Sequence, residues 1–276
     1  MKRDFLSLPV GLCLLACVTI PAVAADPYPA SGQLYQTSAL RGSIGLRYWY
    51  SQSRSDLDNS SFLGSGFDLS STDNVRSHTA ELVGTLEDTS EGAFMRAYVG
   101  LGRNVSGSAE LLGVEMDQKD QTTLSYVVVD GGWQIAQLAG NQARLKGFVG
   151  YQYLSDDLSM RRNSRTYEQS RDWHAIRVGV SAEGDFNQRF GWTVDVAGVP
   201  WAHNKIQSWE SNWSYGVEAD AMLTASLTPN WQLGVGGRYW WLKSNFDRRY
   251  IPTGEKVVFD QNYHRYGLLL ESSYKF

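Results

Sequence analysis

From Tyr215 to Leu227 apolar and polar residues alternate one by one. Tyr215, Val217, Ala219, Ala221, Leu223, Ala225 and Leu227 share one side; Gly216, Glu218, Asp220, Met222, Thr224 and Ser226 share the other. A period of two belongs to the strand, whose successive side chains point to opposite faces, whereas helical spacing would scatter the two carboxylates around the circumference. The same split sets Ile44, Leu46, Tyr48 and Tyr50 against Arg47, and Trp192, Val194 and Val196 against Asp195. Segments of this kind, bounded by turn residues, predict about ten strands, near 42–54, 76–89, 93–107, 122–138, 143–157, 171–185, 190–205, 212–228, 231–247 and 261–276.

The gaps between these segments alternate in length. Tight ones are Thr89-Ser90-Glu91-Gly92, Ala139-Gly140-Asn141-Gln142, Phe186-Asn187-Gln188-Arg189 and Thr228-Pro229-Asn230. Long polar stretches lie between them, at 55–75, 108–121, 158–170 and 248–260. Short turns at one end, long loops at the other and an even strand number are the pattern of an all-β fold, the transmembrane antiparallel up-and-down β-barrel, with periplasmic turns and extracellular loops. The alternative, a soluble β-sandwich, has no reason to sort its connections by length. In a bilayer the apolar face must meet lipid, because Glu218 or Asp220 placed there would cost several kcal/mol.

Composition sharpens this picture. No run of eighteen apolar residues follows residue 25, so helical spans are not expected. Mean hydropathy is negative, yet the chain holds 10 Trp, 15 Tyr and 27 Gly, as a barrel does when lipid-facing and polar side chains interleave. Aromatics gather near the predicted strand ends: Trp49 and Tyr50, Tyr151 and Tyr153, Trp173, Trp201, Trp231, Tyr239 to Trp241, Tyr263 and Tyr266. The outward ones are expected to form girdles at the headgroup level, while Trp49 and Trp240 read as inward filler.

The N-terminus reads as an export signal. Lys2 and Arg3 precede the apolar run Phe5 to Ile20, and Pro21-Ala22-Val23-Ala24-Ala25 supplies the small residues of a cleavage site. Residues 1–25 are thus expected to be a signal peptide and 26–276 the barrel. Leu14-Leu15-Ala16-Cys17 looks like a lipobox, but apolar residues continue past it and a better site follows. Cleavage before Asp26 removes both cysteines, Cys13 and Cys17, which excludes a disulfide scaffold or a thiolate metal site. The formal charge of −4 becomes one unit more negative without Lys2, Arg3 and Asp4, which argues against nucleic acid as a partner.

The alternation turns many charges inward: Arg47, Glu81, Arg96, Asp130, Arg144, Lys146, Arg177, Glu183, Asp195, Glu218, Asp220, Arg238, Arg265 and Glu271. Both signs are present, so pairing is expected, since an unpaired charge in a narrow lumen is costly. Ten strands give a barrel little wider than the eight-stranded kind that side chains fill. The expectation is a lumen plugged by charged side chains, with a narrow pore as an alternative.

A ten-stranded barrel of this length resembles the omptin group of outer-membrane proteases, and more closely a branch of uncharacterised omptin-like barrels. Segments carrying that likeness are Gly45-Leu46-Arg47-Tyr48-Trp49-Tyr50, Val99-Gly100-Leu101-Gly102, Gly236-Gly237-Arg238-Tyr239-Trp240 and the closing Tyr266-Gly267. The last residues, Tyr274-Lys275-Phe276, resemble the terminal signal read by the barrel assembly machinery, with Glu271 where that signal usually has Gly. In omptins an Asp pair faces an Asp-x-His pair at the extracellular rim. By resemblance Asp117 and Asp120 match the first pair and His203 the histidine, but Trp201 stands where its Asp should be. An imidazole without that carboxylate lacks its orienting partner. Solvated loop acids are the alternative for Asp117 and Asp120, and no catalytic residue is assigned.

The four histidines (His78, His174, His203 and His264) show no metal-ligand spacing, and no cofactor motif is present, so neither metal nor cofactor is expected. Partners are expected to be outer-membrane lipids, including lipopolysaccharide, whose phosphates Arg161, Arg162 and Arg165 would grip, with Arg171, Arg248 and Arg249 also in or beside the predicted loops; solvated loop charges balanced by Asp156, Asp157, Glu168 and Asp247 are the alternative. The first test follows from the two ends of the chain. The mature protein should begin at Asp26, fractionate with the outer membrane and run faster on gels unheated than boiled; intact folded protein in the soluble periplasm would contradict this.

Overall fold

The first long strand and the last pair with each other, so the sheet closes and leaves no edge. The computed structural model describes residues 40–59, 67–111, 114–117, 122–138, 143–162, 165–207, 209–249 and 256–276. The predicted signal segment, 1–25, lies outside the described residues. Among the described residues twelve strands form: β1 (Leu40–Asn59), β2 (Phe67–Asp88), β3 (Ala93–Leu111), β4 (Val114–Asp117), β5 (Thr122–Leu138), β6 (Ala143–Arg162), β7 (Arg165–Asp185), β8 (Phe190–Ile206), β9 (Trp209–Glu210), β10 (Trp213–Ser226), β11 (Trp231–Arg249) and β12 (Lys256–Lys275). Ten of them are long and run β1-β2-β3-β5-β6-β7-β8-β10-β11-β12 and back to β1, each pair antiparallel. The short β4 and β9 pair at the long-loop end, with β3 and β8 respectively. The chain is an all-β, closed, ten-stranded antiparallel barrel.

Closure is carried by β1 against β12, in register from Ser43 opposite Lys275 to Asn59 opposite Phe259. Gly42 and Phe276 extend it by exchanging two backbone hydrogen bonds of 2.9 Å each. The ring of Phe276 covers Gly42, where a Cβ would come within 2.6 Å of it. In hydrocarbon this closure is obligatory, because an open edge would leave a row of N–H and C=O groups without partners.

The predicted alternation holds. Leu46, Leu101, Val235 and Leu268 are exposed on the outer wall, and Trp49 and Trp240 are fully buried inside. Trp173 and Tyr263, placed among the strand-end aromatics by sequence, also face inward and are buried. The parity of β7 requires this for Trp173, since Arg177 four residues on is inward too.

The strands run further at the long-loop end than the alternation predicts. β1 has 20 residues and β2 has 22, against the roughly 9–11 that cross a bilayer. Much of 55–75, 108–121, 158–170 and 248–260, read from sequence as polar loop, is therefore paired strand. On β1 the outward row turns polar after Tyr50, with Gln52, Arg54 and Asp56, while the inward row Ser51, Ser53, Ser55 and Leu57 stays buried. Water replaces lipid outside this stretch, so the apolar signal fades although the backbone ladder continues.

β8 carries a bulge. Ile176 and Val178 on β7 face Trp201 and Gly198, so one extra residue is accommodated around Val199-Pro200. Proline has no N–H to give a ladder and belongs at such a place. The bulge reverses parity: Val194 and Val196 point outward before it, Trp201 after it, while Val199 and Ala202 are buried.

The short turns are held by side-chain caps. Asp88 accepts from the Ser90 backbone N–H at 2.8 Å and from the Ser90 hydroxyl at 2.5 Å, which holds its carboxyl below the usual range. Gly92 closes that turn at φ 71°, a conformation that costs glycine little. Asn187 caps the β7–β8 turn by accepting from the N–H groups of Arg189 and Phe190.

Candidate functional site: the lumen and its rim

Inward side chains fill the barrel in tiers. At the short-turn end Glu87 and Glu183 are shared by three cations: Arg41 and Lys146 lie 2.8 and 3.0 Å from Glu87, and Arg144 and Lys146 lie 2.5 and 2.8 Å from Glu183. Next come bonds that cross the lumen. Arg96 on β3 reaches Asp195 on β8 at 2.7 Å and Asp130 at 3.0 Å; Arg177 reaches Asp130 at 2.8 Å and Glu218 at 2.7 Å. Arg238 on β11 reaches Glu81 on β2 at 2.6 Å and Asp220 at 2.8 Å, and Arg47 joins Glu271 at 2.6 Å. Every inward charge read from sequence makes an ion pair inside the lumen, Arg265 in a separate tier above. Arg41, Glu87 and Asp156 were not read as inward; the first two stand at strand ends and the third in the part beyond the apolar band.

Above the charges lies an aromatic tier. Trp49, Trp240 and Tyr126 meet edge to face, with ring centroids 4.8 to 5.7 Å apart. The Arg238 guanidinium lies over three rings, 4.7 Å from Tyr98, 4.9 Å from Trp49 and 5.2 Å from Trp240. Tyr126 donates to Glu81, and its ring crosses Gly100, where a Cβ would come within 2.2 Å of it. Gly150 makes the same room for the Asp130 carboxylate.

Higher still, Arg265 on β12 meets Asp156 on β6 at 3.0 Å, and both are buried. Asp156 also accepts from Asn104 at 2.8 Å and from the Tyr263 hydroxyl at 3.1 Å. Arg265 donates further to Ser77 at 2.7 Å and Ser51 at 3.1 Å. Beyond this pair Asn204 bonds Gln261 at 2.6 Å and Ser244 at 3.1 Å, and Leu57, Ile206 and Phe246 pack together. Below the aromatic tier a cavity of about 680 Å³ remains, reaching the short-turn end and lined among others by Arg47, Arg96, Glu87, Asp220, Met222 and Glu271.

The described residues that sequence singled out fall at both ends of the barrel and inside it. His203 sits opposite His174 on β7, past the bulge that turns Trp201 to the outer wall. Asp117 lies on β4 opposite Ser108 and Arg161, while its side chain and all of Asp120 lie outside the described residues. Arg161 is exposed, and Arg162 and Arg165 face each other at the β6–β7 connection, with side chains outside the described set. Arg171, read as the end of a loop cluster, is instead buried in the lumen and donates to Gln169 at 3.2 Å. Tyr274 packs edge to face on Trp231, centroids 6.0 Å apart, and Phe276 is exposed beside the closing pair. Among the described residues no group of three or more His, Cys, Asp or Glu is arranged to hold a metal ion.

No family model matches the chain, and no curated protein matches it. Solved structures do. The outer membrane protease OmpT from Escherichia coli superposes with a TM-score of 0.54 at 10% identity, covering 88% of this chain and 99% of OmpT. The translocator domain of the autotransporter NalP from Neisseria meningitidis gives a TM-score of 0.35 at 14% identity, covering 84% of this chain and 88% of that domain. A FadL homologue from Pseudomonas aeruginosa gives 0.29 at 8% identity, over 86% of this chain and 90% of the homologue. The fold is that of an outer-membrane β-barrel. Within that class its ten strands are omptin-like in architecture, and a likeness at this identity speaks of fold alone.

The Arg265–Asp156 pair yields a stability test. Arg265→Met removes the cation bonded to the buried Asp156, leaving Arg171 opposite it, and should lower unfolding free energy by about 3 kcal/mol. Adding Asp156→Asn should recover most of that loss in denaturant titrations of the refolded barrel. A double variant as unstable as the single one would show that the charge pairing is not what matters there.

Proposed function

We propose that this chain is an exported integral outer-membrane barrel with a structural or surface-interaction role, its lumen plugged by side chains. What carries the reading is one cross-section: Trp49, Trp240, Tyr126 and Arg238 all have 2% or less of their surface exposed. Bonds such as Arg96 to Asp195 and Arg265 to Asp156 join strands on distant parts of the ring, which supports a lumen filled at several heights. The place for function is then the outside of the barrel and its long-loop end.

We assign no proteolytic role. The residue two before His203 is Trp201 rather than a carboxylate, and the parity after the bulge sends both toward the outer wall. Lipopolysaccharide contacts at Arg161, Arg162 and Arg165 belong to the same proposal, as does recognition of Tyr274 and Phe276 by the assembly machinery during insertion.

Conductance tests the plug. Wild-type protein in planar bilayers should give no discrete steps. Replacing Trp49 and Trp240 together by Ala empties the aromatic tier and should open measurable steps. Wild-type conductance as large as that of the double variant would establish a pore instead.

A further inference from the structure

All four histidines lie on strands close to where the outer wall changes character. Below His78 on β2 the outward row is Ala80 and Leu82, and above it stands Arg76; His174 has Ile176 and Val178 below and Asp172 above. His264 has Tyr266 and Leu268 below and Asn262 above. These positions mark the passage from apolar band to water, which in a membrane is the headgroup level.

Three of the histidines share one arrangement. In each, an aromatic residue stands directly opposite the histidine and a tyrosine two positions earlier on that strand bonds to its Nδ1. For His78 the opposite residue is Tyr50, with ring centroids 5.4 Å apart, and the bonding tyrosine is Tyr48. For His174 it is Tyr153, at 5.0 Å, with the Tyr151 hydroxyl 2.5 Å from Nδ1. For His264 it is Trp241, stacked at 6.4 Å and 26°, with the Tyr239 hydroxyl 2.9 Å from Nδ1. The repeat spans three separate hairpins, β1–β2, β6–β7 and β11–β12.

The tyrosine–Nδ1 bond can run in either direction; with the phenol as donor the neutral imidazole carries its proton on Nε2, on the far side of the ring from the tyrosine. The flanking aromatic holds the ring in place. In that tautomer each unit presents one oriented N–H donor at the headgroup level. Two of the three lie next to guanidinium groups, since Arg103 is directly opposite His78 and Arg54 directly opposite His264.

We infer that Tyr48–His78, Tyr151–His174 and Tyr239–His264 form a belt on the outer wall that hydrogen-bonds the phosphate groups of membrane lipids. The donor is neutral and the acceptor anionic, the charge-assisted combination that outlasts competition from water. Phosphate rather than choline is the fitting headgroup chemistry, because every unit offers a donor and His78 stands beside Arg103, while Arg54 beside His264 is shared with Asp56 at 3.0 Å. The inference rests on the membrane-spanning reading proposed above.

The experiment compares the refolded barrel in vesicles of phosphatidylcholine alone with vesicles in which part of it is replaced by phosphatidic acid. Heat-modifiable mobility in both is checked first; a wild type lacking it would overturn the spanning reading and the belt together. With mobility intact, phosphatidic acid should raise the melting temperature of the wild type by several degrees. The triple variant His78→Phe, His174→Phe, His264→Phe keeps ring packing but loses the donors, and most of the rise should vanish. The second triple, Tyr48→Phe, Tyr151→Phe, Tyr239→Phe, keeps the imidazoles but unfixes them, and the rise should shrink. It also supplies the answer if the histidine variant fails to assemble. An undiminished rise in the variants that assemble would overturn the belt. So would an equal rise from inorganic phosphate added to phosphatidylcholine vesicles, since lipid would then not be the ligand.

Discussion

A backbone in hydrocarbon has no water to bond, so every N–H and C=O must find its partner within the sheet. In this chain that demand is met by joining β1 to β12, down to the paired Gly42 and Phe276. Once the sheet is closed, alternate residues face a narrow lumen, and a ring of ten strands is small enough for opposite walls to touch. Arg96, Arg238 and Arg265 each bond a carboxylate carried by another part of the wall. The polar interior follows from the closure: lipid takes the apolar half of each strand, and the remainder must satisfy itself inside.

The interior changes with height because the solvent outside changes. Where lipid surrounds the barrel, charges hold the lumen together. Toward the long-loop end the outward row becomes polar and the inward row shifts to Ser, Asn, Gln and finally Leu57, Ile206 and Phe246. That upper part is packed as a soluble barrel is, with apolar groups inside.

What the sequence disclosed tracks where both faces of a strand are constrained. Within the bilayer an outward Asp220 or an unpaired inward Arg47 is costly, so the alternation is strict and the ten strands and their parity are legible. Above it, a stretch such as Ser70–Asp73 near the start of β2 is polar on both sides and pairs through its backbone, which side-chain pattern does not report. Pro200 was the visible sign of a bulge, yet the parity reversal it brings decides where His203 points. Partner choice was also hidden: that Arg265 meets Asp156 depends on strand tilt and ring closure, which no local pattern encodes. The Tyr-x-Tyr and Tyr-x-Trp spacings at 48–50, 151–153 and 239–241 stand in plain view, but their histidines become meaningful only once register places them opposite.

The proposed lumen is closed by its aromatic tier, and the cavity beneath it reaches the short-turn end. Since cysteine occurs only at Cys13 and Cys17, within the predicted signal, single cysteines can map that closure. Met222 lines the lower cavity and Ser244 is buried above the aromatic tier. In proteoliposomes of defined orientation, a small membrane-impermeant thiol reagent should label Met222→Cys from the short-turn side alone and Ser244→Cys from neither side. Labelling of Met222→Cys from the long-loop side would mean that the lumen is continuous, and would contradict the account at its centre.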